Sequence, residues 1–301
     1  MPAAATASEP AAPARAWFAR PRSGGTLLLA ALLVLAPLVL PNNYAYEVAI
    51  QIALNAIVCV GLNLLIGYAG QISLGHAGFF ALGGYASAIL ATRYGVPVWL
   101  SLPAACAGVG ALAYVLGRPT LRLKGHPLAM ATLGLGVIIS IALTTEDHWT
   151  GGPDGMQVPP LVLLGLQMQG EHLWYGIAGA LLVGTVWLAL NLIDSPNGRA
   201  LRALHGSEVA AKTLGIDCAR FKLQVFTLSA VLAALAGALT AHYAGFITPA
   251  KASFLHSVEL VIMVVFGGMA SVFGAVLVAT MVLFPQGLVP TLARRWGGRI
   301  Q

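Results

Sequence analysis

Two side chains that hydrolases use, a serine and a histidine, lie three residues apart in the glycine-rich segment 61–84. They are Ser73 and His76, and on a single helix this spacing would place them on the same face. A serine nucleophile at a strand-to-helix turn needs the pattern G-x-S-x-G, whereas the sequence around Ser73 reads GQISLG. The spacing therefore argues against hydrolysis, and we expect no enzyme chemistry on this chain.

The same segment combines many glycines with amide and hydroxyl side chains. Glycines at this density let helix backbones pack closely, or let a helix break at membrane depth. Polar groups inside a bilayer are costly, so they face a protein interior or a water-filled path. Two interpretations stay open, a substrate pathway around a discontinuous helix or helix packing with satisfied hydrogen bonds. The candidate pathway residues are Asn55, Asn63, Gln71, Ser73, His76 and, in a later apolar run, Glu259.

A second polar stretch, SPNGRALRALHGSEVAAKTLGI, occupies residues 195–216. Leu201, Leu204 and Val209 form a short apolar stripe, and the charged side chains lie off that stripe. This pattern predicts a short amphipathic helix between two membrane spans. Such a helix can lie on the bilayer or present itself to a groove of a soluble partner.

The elements that hold these residues are predicted to be membrane helices. Of the 301 residues, 58% are hydrophobic and 9% are charged, against roughly 45–50% and 25% in soluble domains. This composition excludes a cytosolic enzyme, a nucleic-acid binder and a disordered scaffold. The odd number of widely spaced cysteines, 3, indicates neither a disulfide framework nor a zinc site. The sequence predicts an all-α, polytopic transmembrane bundle of about eight or nine spans, with a broken or glycine-rich helix near 67–84.

The net charge of +6 is explained by the loops, because cytoplasmic loops of membrane proteins collect Lys and Arg. With a cytoplasmic N-terminus, the Lys and Arg residues before residue 257 divide into 11 on the inside and 2 on the outside. The last apolar stretch, 257–289, could hold two short spans or one span and a re-entrant piece. We expect a disordered basic tail over 1–25, a transmembrane domain over 26–290 with a cytoplasmic loop at 194–220 and an external loop at 144–172, and a basic C-terminal tail over 291–301.

The external loop contains the sequence TGGPDGM and carries acidic residues but no Lys or Arg. An acidic outer surface that includes Asp154 could dock a soluble partner. The alternative is a turn that Gly and Pro impose. A phosphate-binding G-x-x-x-x-G-K-[ST] motif is absent from the sequence, so this chain is not expected to bind ATP through such a loop.

Five segments of the chain stand together as a recognisable set: GLNLLIGYAGQISLGHAGFFALGGY, RLKGHPLAMATLGLGVII, TGGPDGM, GRALRALHGSEVAAKTLGI and ELVIMVVFGGMASVFGAV. They resemble, in the same order, the permease subunits of bacterial ABC importers for branched-chain amino acids of the Leu/Ile/Val "M-type". The resemblance covers residues 45–278, and urea and short-amide permeases are close relatives of that family.

The resemblance implies an inner-membrane importer in which this chain has no cofactor of its own. Cytoplasmic ATP-binding subunits would bind and hydrolyse ATP, a second related permease subunit would pair with this chain in the bilayer, and a periplasmic binding protein would deliver the substrate. The 194–220 loop resembles the helix that couples a permease to its ATPase. The coupling residues that it implies are Arg199, Arg202, Glu208, Ala210, Ala211 and Gly215.

Two other functions stay open from the sequence. One is a urea or short-amide ABC permease, and the other, from a different class, is a stand-alone channel or secondary carrier. A carrier would need an ion-coupling site, and the spans contain too few charges to indicate one. The chain also departs from the family near its end, where residues 273–277 are followed closely by the FPQGL motif at 284–288. About one span and a loop that family members have are missing here, which leaves the topology of the last span open.

Overall fold

The computed structural model describes residues 21–283, except 40–41, 122, 124, 164–165 and 168–169. Helices dominate the described part of the chain, as the apolar composition predicts. They are α1 (Pro21–Val39), α2 (Asn43–Asn63), α3 (His76–Arg93), α4 (Val98–Thr120), α5 (His126–Thr145), α6 (Asp147–Thr150), α7 (Glu171–Asp194), α8 (Pro196–Gly206), α9 (Glu208–Thr213), α10 (Cys218–Ala244), α11 (Phe254–Phe266) and α12 (Val272–Leu283).

Within the described residues, 5 helices are long and apolar enough to cross a membrane. They are α2 with its extension to Tyr68, α4, α5, α7 and α10. This confirms a polytopic helical membrane protein, while the number of eight or nine spans stays a prediction. Helix α11 has 13 residues, about 20 Å of helix, which is shorter than a hydrocarbon core of about 30 Å.

Helices α2 and α10 form the centre of the bundle, and both are buried along much of their length. Small residues allow α10 to pack directly against α3. A Cβ atom on Gly83 would meet the backbone of Ala234, and one on Gly237 would meet the backbone of Phe80. Most of the glycines in 61–84 therefore lie where helices or loops contact each other closely.

The predicted break lies between α2 and α3. Helix α2 continues as a π-helical turn, Leu64–Tyr68, and residues 70–75 are not helical. Gly70 has a φ of +65°, a left-handed conformation that glycine adopts without steric cost. Helix α3 begins at His76, three residues after Ser73. The spacing argument considered Ser73 and His76 on a single helix, but only His76 lies in α3.

The turned end of α2 is fixed to the connection between α11 and α12. The Asn63 amide donates to the carbonyl of Ser271 at 2.7 Å and accepts from the backbone N–H of Ala270 at 2.9 Å. The Tyr68 hydroxyl donates to the carbonyl of Ala270 at 2.6 Å. Ala270 has a φ of +67°, which is unusual for a residue with a Cβ. These hydrogen bonds satisfy backbone groups that the break between two short helices leaves free.

The loop predicted as external, 144–172, contains more structure than turns. Its strand β1 (Met156–Gln157) pairs antiparallel with β4 (Phe246–Ile247), and β2 (Val162–Leu163) pairs with β3 (Leu166–Gln167). The all-α expectation missed these short pairs because two-residue strands have no periodicity. The first pair ties the TGGPDGM loop to the end of α10.

The predicted tails lie mostly outside the described residues. Helix α1 begins at Pro21, so residues 21–25 are helical rather than part of the tail expected over 1–25. The basic C-terminal tail expected over 291–301 lies outside the described residues. The same holds for the end of the last apolar stretch, whose described part forms the short helices α11 and α12.

A polar cavity and a charged helical segment at opposite ends of the bundle

The two candidate sites lie at opposite ends of the same helices. A cavity is lined by the start of α2, the start of α7 and the end of α10. The 194–220 segment joins the other end of α7 to the start of α10. Because α10 begins at Cys218 and the cavity lining on it begins at Gly237, the two sites are separated by about 28 Å of helix.

One wall of the cavity is a polar stripe on α2. Asn43, Glu47, Gln51 and Asn55 follow one another at a spacing of four residues and all line the cavity. This spacing places them on one face of a helix. Polar side chains on a membrane helix face protein or a water-filled space, and the volume of this cavity is about 780 Å³. We call it the polar cavity.

The facing walls come from α7, α10 and the segments around them. Glu171 and Trp174 line the cavity from α7, and His242 and Tyr243 line it from α10. The aromatic rings of Trp174 and Tyr243 meet edge to face, with centroids 5.4 Å apart. The remaining contributions include Phe80, Val158, Pro160, Phe246, Ile247, Lys251 and His256.

The polar cavity contains charged groups of both signs. The carboxylates of Glu47 and Glu171 both interact electrostatically with the Tyr243 phenol, which places them in one region. The Lys251 ammonium interacts in the same way with the ring of His256. Two atoms in the cavity lining, Oε2 of Glu171 and Nε2 of His256, are buried and have no hydrogen-bond partner in the structure. The cavity therefore has two carboxylates near Tyr243, and Lys251 beside His256, whose ring also faces the Glu259 carboxylate. Its lining keeps unused hydrogen-bonding capacity.

The predicted pathway residues divide into different environments. Asn55 lines the polar cavity, and its amide donates to the carbonyl of Gln51 at 2.9 Å. Glu259 is exposed on α11, and its carboxylate lies 3.3 Å from Nδ1 of His256. These two residues therefore lie in or beside the cavity, and a role for them in translocation stays a prediction.

Ser73 and His76 belong instead to a buried network. Nδ1 of His76 lies 2.9 Å from Oγ of Ser73, and its Nε2 lies 2.8 Å from Oγ of Ser229 on α10. With both ring nitrogens occupied, this geometry holds the start of α3 against α10. Asn63 is likewise occupied by the connection between α11 and α12.

Gln71 differs from these residues. Its side chain is buried, and in the part of the chain that the structure describes neither its amide oxygen nor its amide nitrogen has a hydrogen-bond partner. It lies in the non-helical stretch after α2, next to Gly70. Among the predicted pathway residues, it is the one whose side-chain polar atoms are both left unused.

The 194–220 segment forms two helices rather than one. The hydroxyl of Ser195 accepts from the N–H of Gly198 at the start of α8, and that of Ser207 accepts from the N–H of Ala210 at the start of α9. Serine is a favoured N-cap residue for this reason. Ser207 is extended, with φ −159° and ψ 113°, and so separates the two helices.

The apolar stripe predicted for this segment is correct only in part. Leu201 and Leu204 are buried, but Val209 is 73% exposed, as is Leu214 at 77%. The break at Ser207 turns α9 relative to the stripe on α8, which places Val209 on the surface. Val209 and Leu214 each expose an apolar side chain at this end of the bundle, which the described residues leave uncovered.

The predicted coupling residues are mostly occupied by contacts that hold this segment to the bundle. Glu208 forms an ion pair with Lys222 of α10 at 3.0 Å and a second one with Lys212 at 3.6 Å. The Arg202 guanidinium donates to the carbonyl of Ile193 at 3.0 Å. The Arg199 guanidinium donates to the carbonyl of Asp194 at 3.5 Å. Ala210 is exposed and Ala211 is buried. Gly215 has a φ of +79°.

The 194–220 segment also touches the break after α2. A Cβ atom on Gly70 would lie 3.0 Å from Nδ1 of His205 on α8, and α8 packs against the π-helical turn Leu64–Tyr68. A movement of α8 would therefore reach α2 directly, because closely packed elements transmit displacement.

Asp154, predicted as a docking residue, is exposed in the 3₁₀ turn Gly152–Asp154. Three glycines in this loop, Gly151, Gly152 and Gly155, have positive φ angles between 59° and 77°. Gly and Pro thus impose the loop conformation, as the turn interpretation proposed, and docking at Asp154 stays a prediction. In the described ranges no group of 3 or more His, Cys, Asp or Glu could hold a metal ion.

Sequence reasoning missed Glu47, Gln51, Glu171 and Lys251. A signal for the first two was present, because polar residues recur every four positions from 43 to 55 at the start of an apolar helix. Glu171 and Lys251 are far from α2 in sequence, and no local pattern connects them. Their contribution follows from the arrangement of α7 and the 245–256 segment around α10.

Comparison with known proteins identifies the family of this chain. Residues 44–296 match the family described as the permease component of the branched-chain amino acid transport system. The chain belongs to this family, whose members are membrane permeases of ABC importers, and it is a transport subunit rather than an enzyme. A permease of such a system implies ATP-binding and substrate-binding components as its partners.

Relatives with named functions include two proteins called "High-affinity branched-chain amino acid transport system permease protein LivM", from Escherichia coli (strain K12) and Salmonella typhimurium (strain LT2). Each is 35% identical over 290 residues, covering 87% of this chain and 68% of the relative. The fructose import permease protein FrcC of Rhizobium meliloti is 29% identical over 213 residues, covering 65% of this chain and 57% of that protein. No solved structure matches the chain significantly.

Proposed function

We propose that this chain carries branched-chain amino acids across the bacterial inner membrane, with its N-terminus in the cytoplasm and its polar cavity facing the periplasm. Separate subunits bind and hydrolyse ATP, and they contact the chain through α8 and α9. The observation that carries this proposal is the exposed apolar surface of Val209 and Leu214, at the end of the bundle opposite the polar cavity.

The connections of the 194–220 segment support a coupling role. The pair between Glu208 and Lys222 ties α9 to α10, and α8 contacts the π-helical turn at the end of α2. Closure of the ATP-binding subunits would displace α8 and α9, and α2 and α10 would follow. Since α2 and α10 also line the polar cavity, ATP binding at one end can change the opening at the other.

The proposed substrate follows the family and the two LivM relatives. Urea or short amides stay the alternative substrates within the class. Fructose is a further alternative, because one relative is named for fructose import. A stand-alone channel or carrier would not need the apolar surface on α9, and that surface favours an ATP-driven importer with a second permease subunit and a periplasmic binding protein as further partners.

Uptake measurements in cells that lack this chain test the proposal. We expect deletion to abolish uptake of leucine, isoleucine and valine, and expression of the chain to restore it when the partner subunits are present. Uptake of urea and fructose should be the same in all strains. Rescue of urea or fructose uptake instead would replace the substrate, and leucine uptake without ATP-binding subunits would contradict the importer mechanism.

A further inference from the structure

The charges in the polar cavity do not neutralise one another through direct contacts. Among the described residues, Glu47, Glu171 and Lys251 form no ion pair, whereas Glu208 at the other end of the bundle forms two. Glu47 and Lys251 are exposed and Glu171 is half-buried, and charged groups without partners in a membrane protein are costly away from water. Such groups persist in a cavity where water or a ligand can satisfy them.

The shape of the cavity suits a small molecule. Its volume of about 780 Å³ lies within the range of roughly 300–1,000 Å³ that is typical of ligand sites. Apolar and aromatic side chains lie beside the charged walls, including Phe80, Trp174 and Ile247. The Phe80 ring meets the His256 ring edge to face, with centroids 5.5 Å apart. An apolar surface therefore lies directly beside His256.

We propose that the polar cavity binds the zwitterionic form of an aliphatic amino acid, with Glu47 and Glu171 receiving its ammonium group and Lys251 and His256 its carboxylate. The aliphatic side chain then lies against Phe80, Trp174 and Ile247. This inference rests on the proposed function and assigns the groups that recognise the substrate within the permease itself.

The presence of both signs of charge in one cavity favours a zwitterion over an uncharged molecule. An ammonium group is stabilised near the two carboxylates and a carboxylate near the ammonium of Lys251, so a zwitterion fits in one orientation. An uncharged molecule such as urea or fructose leaves all of these charges unpaired. Gln51 and Asn55 continue the polar stripe along α2 and offer amide groups to a substrate that moves further into the bundle.

The experiment uses the complete importer, with both permease subunits, the ATP-binding subunits and the binding protein, reconstituted in proteoliposomes. Leucine uptake per ATP hydrolysed is compared for wild type, Glu47→Gln and Lys251→Gln. We expect each variant to lower this ratio at least tenfold, with basal ATP hydrolysis unchanged. Glu47→Asp and Lys251→Arg keep the charges and should retain at least a third of the wild-type ratio.

Two control variants remove the same kinds of charge outside the cavity. Glu146→Gln and Arg93→Gln change residues near this end of the bundle that do not line the cavity, and we expect wild-type ratios from both. A loss in the controls equal to that in the cavity variants would overturn the proposal, because the effect would then be one of general surface charge.

A second measurement separates binding from folding. The complex of permease and ATP-binding subunits in nanodiscs, without the binding protein, is titrated with radiolabelled leucine. Leucinamide, which lacks the carboxylate, and 4-methylpentanoate, which lacks the ammonium, should compete at least tenfold less well than valine. Equal competition by either compound, or unchanged leucine uptake in both cavity variants, would overturn the zwitterion site and leave the proposed function standing. Wild-type uptake of urea or fructose in place of leucine would overturn both.

Discussion

The polar cavity and the 194–220 segment are both charged, but they differ in whether their polar groups have partners within the described part of the chain. In the 194–220 segment, Glu208 pairs with Lys222 and Lys212. In the polar cavity, Glu171 and His256 each keep a buried polar atom without a partner. A segment that transmits force benefits from fixed internal contacts, whereas a site for a passing ligand must leave its polar groups available.

The two regions also differ in what they leave exposed. The 194–220 segment presents apolar side chains, Val209 and Leu214, on a surface that is otherwise charged. The polar cavity presents amides and charges on helices that are otherwise apolar. Each region thus exposes the chemistry that its surroundings lack, which is what distinguishes a binding surface from the rest of a molecule.

The largest effect is expected at the contact between α3 and α10, because α10 connects the 194–220 segment to the polar cavity. Gly83→Leu would drive a side chain into the backbone of Ala234, and we expect a loss of at least about 3 kcal/mol of stability and of all uptake. Gly176→Leu is the matched control, because a Cβ there meets nothing within 4 Å. The amount of folded protein after detergent extraction measures both. Normal yield of Gly83→Leu would show that α3 and α10 are not packed as described.

The next effect separates the regions by breaking the paired charge. Glu208→Lys places three ammonium groups together, with Lys212 and Lys222 as the neighbours. We expect leucine uptake to fall at least tenfold while the protein stays in the membrane at its normal level, because only the coupling contact is lost. Uptake and membrane abundance are measured on the same cells.

Two further variants make this test specific. Lys212→Gln removes the longer and more exposed of the two ion pairs and should leave uptake within about twofold, since exposed pairs contribute little. Combining Glu208→Lys with Lys222→Glu restores an opposite-charge pair and should recover part of the uptake. A double variant as inactive as Glu208→Lys would contradict the role of this pair.

The smallest effect concerns residues that lie between the regions. Ser229→Ala removes one partner of His76, and we expect a loss of about 1–2 kcal/mol of stability with an unchanged KM for leucine. The apparent melting temperature and the uptake kinetics are measured together. Thr227→Ala is the control, since the Thr227 hydroxyl has no hydrogen-bond partner in the structure. A raised KM with unchanged melting temperature would instead assign His76 to the translocation pathway.

The sequence predicted the helices better than it predicted the contacts between them. Apolar runs indicated α2, α4, α5, α7 and α10, and the glycines indicated the break after α2. Their bounds follow from local features such as the proline at the start of α5 and the left-handed Gly70. These features act within a few residues, so the sequence displays them directly.

The candidate residues were less predictable. Asn55, Asn63, Ser73 and His76 look alike in sequence, since each is a polar residue among apolar ones. In the structure Asn55 lines the polar cavity, whereas the other three side chains form hydrogen bonds inside the bundle. The partners that decide this, such as Ser229 and Ser271, lie more than 150 residues away from His76 and more than 200 from Asn63.

By itself, the sequence determined that this protein is a helical membrane permease with a polar segment suited to a partner. Composition, hydrophobic runs and ordered motifs carry that information, because bilayer burial and helix formation act on neighbouring residues. The tertiary structure alone decided that Glu47, Glu171 and Lys251 line one cavity and that Glu208 is held by Lys222. These pairings depend on how α2, α7 and α10 pack, and packing brings together residues that no local pattern relates.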